Sequence, residues 1–240
     1  MGPAYLLQGF RLITEPGLRK FVLAPIAINI LVIGLLMWLF GNQLDGWLDS
    51  WLAGLPGWLA WLESLLWWLA MLLALLLFCY VFTLLANLIA GPFNGTLSSR
   101  VERHLTGREP DSGRNWRGEL VDAVGSELRR WRWYLGRAIL LLLLTLVLLP
   151  IPLLGGAVPF LWFAFGAFML AFEYLDNPMG NRGMPFTDKL GRLRERRWLN
   201  LGFGATATLF TMIPLANLIV MPAAVAGATA LWLDHMESSR

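Results

Sequence analysis

Hydrophobic and polar positions are segregated along the chain in long blocks. Four stretches, residues 21–44, 64–99, 138–172 and 198–233, contain no Lys, Arg, Asp or Glu. A helix that crosses a bilayer needs about 20 predominantly apolar residues, and each stretch is longer than that. The pattern predicts an all-α integral membrane protein, with residues 1–240 forming a single membrane domain.

Two of the stretches have the length and continuity of complete crossings. The first, at about residues 21–40, would be about 30 Å long as a helix, which matches the hydrocarbon core of a bilayer. The second, at about residues 64–90, would be roughly 40 Å long, which implies a tilt. Both are predicted to be long transmembrane helices.

The other two stretches are interrupted near their middles by helix-breaking residues. These are Pro150, Pro152, Gly155, Gly156 and Pro159 in the first, and Pro214, Asn217 and Pro222 in the second. The uninterrupted arms are about 18 Å long, well short of the roughly 30 Å core. We therefore expect two partly inserted helical hairpins, at about 138–172 and 198–233, although six full spans follow if flanking charged residues extend the helices.

The basic residues set the expected orientation. None of the 19 Lys and Arg residues falls in 41–63, and all lie in 1–20, 91–137 and 173–198 or at Arg240. The positive-inside rule then places both termini in the cytoplasm, with helical segments at about 94–137 and 173–197. Within the first of these segments, apolar residues recur every three or four positions from Trp116 to Leu135, which predicts an amphipathic helix that runs into the first hairpin.

Several classes of function find no support in the sequence. It has no Gly-rich loop ending in Gly-Lys-Ser/Thr, one cysteine, two histidines, and no carboxylate or histidine cluster with metal-ligand spacing. We expect no catalytic residues, no cofactor and no metal. The net charge of +3 follows from membrane topology, so no nucleic-acid partner is expected.

The first candidate site lies just before the first span, in Gly17-Leu18-Arg19-Lys20. Free backbone N–H groups at a helix start, together with an adjacent guanidinium, can bind an anion. The alternative is that Arg19 and Lys20 only extend to the membrane surface and set topology.

Two further clusters are candidates for structural or coupling roles. Gly91-Pro92-Phe93-Asn94-Gly95 is expected to end the second span in a sharp turn, with Asn94 as a cap. Glu102, His104 and Arg129 lie in the cytoplasmic segment, either on a solvated face or in a buried polar network at the base of the hairpins.

These motifs, taken in order, resemble those of the CysZ-type sulfate permeases of bacterial inner membranes. The resemblance rests on the GLR triplet at 17–19, on GPFNG at 91–95 and on TMIPLANLIVMPAAVAGATALW at 211–232, and it extends from about Gln8 to Asp234. It implies sulfate uptake for cysteine biosynthesis, through an ATP-independent channel or uniporter-like route, by a homo-oligomer surrounded by membrane lipids. It also implies that Gly17, Leu18 and Arg19 bind sulfate, with Lys20 second in rank.

The mechanism and the class of function stay open at this point. If transport is coupled to protons, Glu102 or His104 is the candidate ionisable group. Sulfite or thiosulfate would compete with sulfate for the binding site. A non-transporting membrane scaffold with wedge-like hairpins is the main alternative function. A membrane-embedded enzyme is disfavoured, because no catalytic constellation is present.

Overall fold

The computed structural model describes residues 1–52, 60–108, 110, 116–151 and 154–237. This part of the chain has no strand, which confirms the all-α class. Its helices are α1 (Gly2–Leu12), α2 (Arg19–Leu52), α3 (Ala60–Thr106), α4 (Trp116–Leu148), α5 (Val158–Gly180), α6 (Phe186–Glu195), α7 (Arg197–Thr211) and α8 (Pro214–His235).

The two long apolar stretches form continuous helices, as predicted. Helix α2 has 34 residues and α3 has 47, and their windows Arg19–Leu39 and Leu65–Phe82 are long and apolar enough to cross a membrane. The expected turn at 91–95 is wrong, because α3 continues through these residues without a break. One proline removes a single backbone hydrogen bond, and in this case the helical segments on both sides persist.

The first hairpin has longer helices than the sequence predicted. Helix α4 starts at Trp116, as the amphipathic pattern indicated, and α5 ends only at Gly180. Their windows Leu128–Leu148 and Gly155–Gly180 are also long and apolar enough to cross. The estimate of arms about 18 Å long is therefore wrong, because both helices extend past the charge-free stretch. The depth to which this hairpin enters the membrane stays a prediction.

The second hairpin turns at Met212 and Ile213, and Pro222 lies inside α8. The apolar surface of α8 is largely covered by protein, since the helix packs against α1, α5 and α7. Its residues from Ala223 to Ala226, together with Leu231, are fully buried. The small side chains of α8 therefore form the centre of a helical core.

Helix α1, which the hydrophobic pattern did not reveal, packs closely against this core. A Cβ atom at Gly9 would collide with the carbonyl oxygen of Ala223, and one at Gly227 would collide with the carbonyl oxygen of Tyr5. Leu6 is completely buried. Glycine at both positions allows the backbones of α1 and α8 to approach each other.

The chain divides into two compact units. One comprises Met1–Val22 and Asn94–Arg240, and the other comprises Leu23–Phe93. All candidate site residues except Gly91, Pro92 and Phe93 belong to the first unit. The single membrane domain expected from the sequence stays a prediction.

Candidate functional site

The GLR motif forms the turn that connects α1 to α2. Gly17 has a φ of +98°, a left-handed conformation that favours glycine. The N–H groups of Leu18 and Arg19 both donate to the carbonyl oxygen of Glu15, at 3.1 and 3.3 Å. The Leu18 N–H is therefore already engaged within the turn, which limits the backbone contribution that the sequence assigned to this residue.

The side chains of this turn divide into a buried anchor and exposed cations. Leu18 is 4% exposed and packs with the core, as do Ile13 and Val22. Arg19 and Lys20 are both exposed to solvent. The apolar anchor fixes the backbone of the turn while the two cations stay accessible to an anion.

Helix α3 adds a third cation to this corner of the protein. The Lys20 ammonium lies 5.3 Å from the centroid of the Phe21 ring, and the Arg100 guanidinium lies 5.8 Å from the same centroid. Arg100 is exposed. Sequence analysis did not single out Arg100, because it is 80 positions distant from Lys20 and only the packing of α3 brings the two together.

Glu102, one turn from the base of α3, is buried in an ionic cluster. The Arg182 guanidinium donates to both of its carboxylate oxygens, at 2.9 and 2.6 Å, and also to Glu237 Oε1 at 2.7 Å. The same guanidinium lies 5.5 Å from the centroid of the Trp232 ring. The cluster joins α3 to the turn after α5 and to the residues that follow α8.

The electrostatics of Glu102 combine two opposing effects. Burial raises the pKa of its carboxyl above the ordinary value, and the Arg182 charge and hydrogen bonds lower it, with burial the larger effect. Glu102 is thus the buried ionisable group that sequence analysis considered. His104 and Arg129 are both exposed, and the structure does not bring either into the cluster. His104 follows Glu102 by two positions, which places it on the opposite side of the helix.

The GPFNG segment contributes a hydrogen-bond acceptor at its last residue. Asn181 Nδ2 donates to the Gly95 carbonyl oxygen and to Ser99 Oγ, both at 2.9 Å. Phe93 and Asn94 are half-buried, and the side chain of Pro92 lies outside the described residues. The segment attaches α3 to the turn after α5 in place of the predicted change of direction.

A second ionic cluster fixes the C-terminal end of α5. Lys189 of α6, which is buried, donates to Asp176 Oδ1 at 2.6 Å. Arg130 of α4 lies 3.6 Å from the other oxygen of the same carboxylate. Three helices therefore meet at one carboxylate, and neither Asp176 nor Lys189 was recognised in the sequence.

Potential metal ligands do not converge in the part of the chain that the structure describes. No group of three or more His, Cys, Asp and Glu side chains is arranged to hold a metal ion there. The functional chemistry visible in this part is that of cations on an exposed turn and of buried ion pairs.

The family comparison agrees with the resemblance noted in the motifs. Residues 5–222 match the model of the family EI24, described as sulfate transporter CysZ/etoposide-induced protein 2.4. Because the match covers most of the chain, the chain belongs to this family. It is a transporter family, and together with the long apolar helices it indicates a multi-pass membrane protein.

Proposed function

We propose that this member of the CysZ/EI24 family carries sulfate inward across the bacterial inner membrane, to supply sulfur for cysteine biosynthesis. The family match over residues 5–222 is the observation that carries the proposal. The route is ATP-independent and channel-like or uniporter-like, and the working form is a homo-oligomer with both termini in the cytoplasm.

The sulfate site in this proposal is the exposed turn before α2. Arg19 supplies a planar guanidinium that can give two parallel hydrogen bonds to one tetrahedral oxyanion. The Gly17 backbone lies beside it in the left-handed conformation. Leu18 contributes its buried side chain, which holds the turn in place.

Lys20 and Arg100 complete the cationic environment. Both approach the Phe21 ring, two positions after Arg19 in the sequence, so this corner of the protein carries positive charge from α2 and from α3. A dianion binds more tightly where several cations share its charge, because each adds a Coulomb term that falls only inversely with distance. Arg100 is thus an additional sulfate ligand in this proposal.

The membrane potential opposes inward movement of sulfate. Moving a dianion against an inside-negative potential costs about 4.6 kcal/mol per 100 mV. Uptake therefore needs either a very low internal sulfate concentration or coupling to protons. Glu102 is the residue proposed for coupling, because it is buried, ionisable and held by Arg182.

Labelled-sulfate binding and uptake by the purified protein test the proposal. Arg19→Ala should weaken binding by about 1.5–3 kcal/mol, the range for a hydrogen bond to a charged group, or roughly 10- to 150-fold. Arg19→Lys should restore only part of this loss, because an ammonium lacks the guanidinium fork. Arg100→Ala should also weaken binding, whereas Arg103→Ala, an exposed arginine on the same helix, should not.

The outcomes separate transport from the alternatives. Flux into proteoliposomes that sulfite or thiosulfate reduces supports a permease, and complete absence of flux supports a scaffold. Equal affinities for wild type, Arg19→Ala and Arg19→Lys would remove Arg19 from the site and leave only its topological role. Uptake that does not respond to an imposed pH gradient at a clamped potential would exclude proton coupling.

A further inference from the structure

A small polar cluster joins the start of α1 to the end of α8. The Tyr5 hydroxyl donates a hydrogen bond to Asp234 Oδ2 at 2.9 Å, and its oxygen lies 2.8 Å from Nε2 of His235. The rings of Tyr5 and His235 also meet edge to face, with their centroids 5.6 Å apart. The cluster therefore connects residues that are 229 and 230 positions apart in the chain.

The direction of both hydrogen bonds follows from the number of protons available. A carboxylate only accepts, and a phenol has a single proton, which Tyr5 gives to Asp234. Nε2 of His235 must then carry a hydrogen and donate it to the Tyr5 oxygen. Burial, together with the hydrogen bond to Asp234 and the charge of that residue, raises the pKa of Tyr5 to about 12. The Tyr5 hydroxyl thus stays protonated at neutral pH, and it takes part in both hydrogen bonds.

This cluster adds a directional contact to a helix pair that is otherwise in close apolar contact. One turn after Tyr5, Gly9 lets the backbone of α1 approach the Ala223 carbonyl oxygen of α8. Leu6, next to Tyr5, is completely buried. Apolar contacts are not directional, whereas a hydrogen bond requires a defined distance and angle. The hydrogen bonds of Tyr5 therefore define how α1 is rotated and positioned on α8.

The backbone that leads from α1 to the GLR turn is hydrogen-bonded at consecutive residues. The N–H groups of residues 13, 14 and 15 donate back to carbonyl oxygens of α1, each at 3.1 Å. Those of Leu18 and Arg19 donate to the carbonyl oxygen of Glu15. Leu12 and Ile13 are buried, as is Leu18. The turn therefore continues from α1 through a hydrogen-bonded backbone, and the orientation of α1 sets the position of Arg19.

We propose that Tyr5 is a positioning residue for the GLR turn, held by Asp234 and His235 in the orientation of α1 that presents Arg19 to a tetrahedral oxyanion. The inference rests on the proposed sulfate site at this turn. Tyr5 acts through α1 and does not touch the anion. Without its hydroxyl, only a fraction of the molecules hold Arg19 in the binding orientation, and the apparent affinity for sulfate falls in proportion to that fraction.

The experiment compares wild type with Tyr5→Phe in the full-length purified protein. This variant keeps the ring and removes the hydroxyl that forms both hydrogen bonds. Tyr80→Phe is the matched control, because Tyr80 is 63% exposed on α3. Two variants at the partner give a second test: His235→Leu removes the N–H donor, and His235→Gln retains one. Calorimetry at a temperature well below each Tm measures sulfate affinity, and hydrogen–deuterium exchange measures amide protection in residues 2–21.

Tyr5→Phe and His235→Leu should each bind sulfate about three- to tenfold more weakly, as for a binding-competent fraction between about a third and a tenth. Amide exchange should become faster in α1 and also in residues 13–19. Tyr80→Phe should match wild type, and His235→Gln should bind more tightly than His235→Leu. A purely structural role at the start of α1 would instead speed exchange there and leave sulfate affinity unchanged.

The proposal is overturned if Tyr5→Phe binds sulfate as tightly as wild type, or if the control loses as much. If Tyr5→Phe does not fold, equal affinities for His235→Leu and His235→Gln overturn it. Failure of the proposed sulfate site gives a different result, because Arg19→Ala would then bind sulfate as tightly as wild type. In that case exchange in residues 13–19 still decides whether Tyr5 positions the turn.

Discussion

Replacing Arg182 by alanine should destabilise the protein more than replacing an arginine that is exposed to solvent. Its guanidinium makes two hydrogen bonds to Glu102, whose side chain is only 6% exposed. Arg182→Ala leaves that carboxylate buried without a counter-ion. Breaking a buried ion pair from one side costs about 3–5 kcal/mol. The Glu237 contact adds little, because that side chain is 47% exposed and is rehydrated.

Thermal unfolding in detergent, followed by circular dichroism, measures the effect. For a chain of this size the loss corresponds to a fall in Tm of about 6–20 °C. Arg132→Ala is the control, since that side chain is exposed on α4. The control should cost less than about 1 kcal/mol.

A double variant distinguishes a buried charge from a general packing defect. When both partners become apolar, as in Arg182→Met with Glu102→Met, no charge is left uncompensated. The double variant should therefore be more stable than Arg182→Ala alone. The buried ion pair would be refuted as the source of the effect if the double variant lost as much stability as Arg182→Met and Glu102→Met combined. It would also be refuted if Arg182→Ala were as stable as the control.

Three further outcomes are expected. Gly9→Ala should lower Tm strongly, because its Cβ would collide with the α8 backbone, whereas Gly136→Ala, in open space on α4, should be neutral or stabilising by up to about 1 kcal/mol. Burial raises the pKa of Glu102, so between the ordinary pKa of a glutamate and this raised value the folded protein holds a proton on Glu102 that the unfolded chain has lost. The free energy of unfolding should therefore fall as the pH rises between these two values. Glu102→Gln should remove this pH dependence. In a cysteine-free background, an impermeant thiol reagent added outside should label Gly46→Cys, in the segment expected outside, but not Gly156→Cys, at the tip of the first hairpin. Labelling of Gly156→Cys would show that the helices of this hairpin cross the membrane completely.

The sequence determined the features that depend on local composition. Charge-free stretches longer than a bilayer requires placed α2 and α3, and the three- and four-residue spacing from Trp116 located the start of α4. The break between α4 and α5 also follows from local residues, because several prolines and glycines occur within ten positions. These features need no information about distant parts of the chain.

Local signals failed where neighbouring helices decided the outcome. Gly91 and Pro92 lie inside a continuous helix, and α5 extends past its apolar stretch to Gly180, where Asp176 is paired with Lys189 of α6 and with Arg130 of α4. The apolar residues of α8 were predicted to form an arm of a partly inserted hairpin, and most of them are covered by protein. An apolar side chain avoids water equally well in lipid and in the protein interior, so a hydrophobic sequence does not show which of the two surrounds it.

Only the tertiary structure brought together the residues that carry the proposed chemistry. Arg182 reaches Glu102 across 80 positions, and Arg100 reaches the ring next to Lys20 across a similar separation. No periodicity encodes such pairs, because they depend on how α3 packs against the turns before α2 and after α5. The GLR motif could be recognised in the sequence because Gly17 and the cations Arg19 and Lys20 lie within four positions of each other. The third cation, Arg100, comes from α3 and could not be recognised in this way.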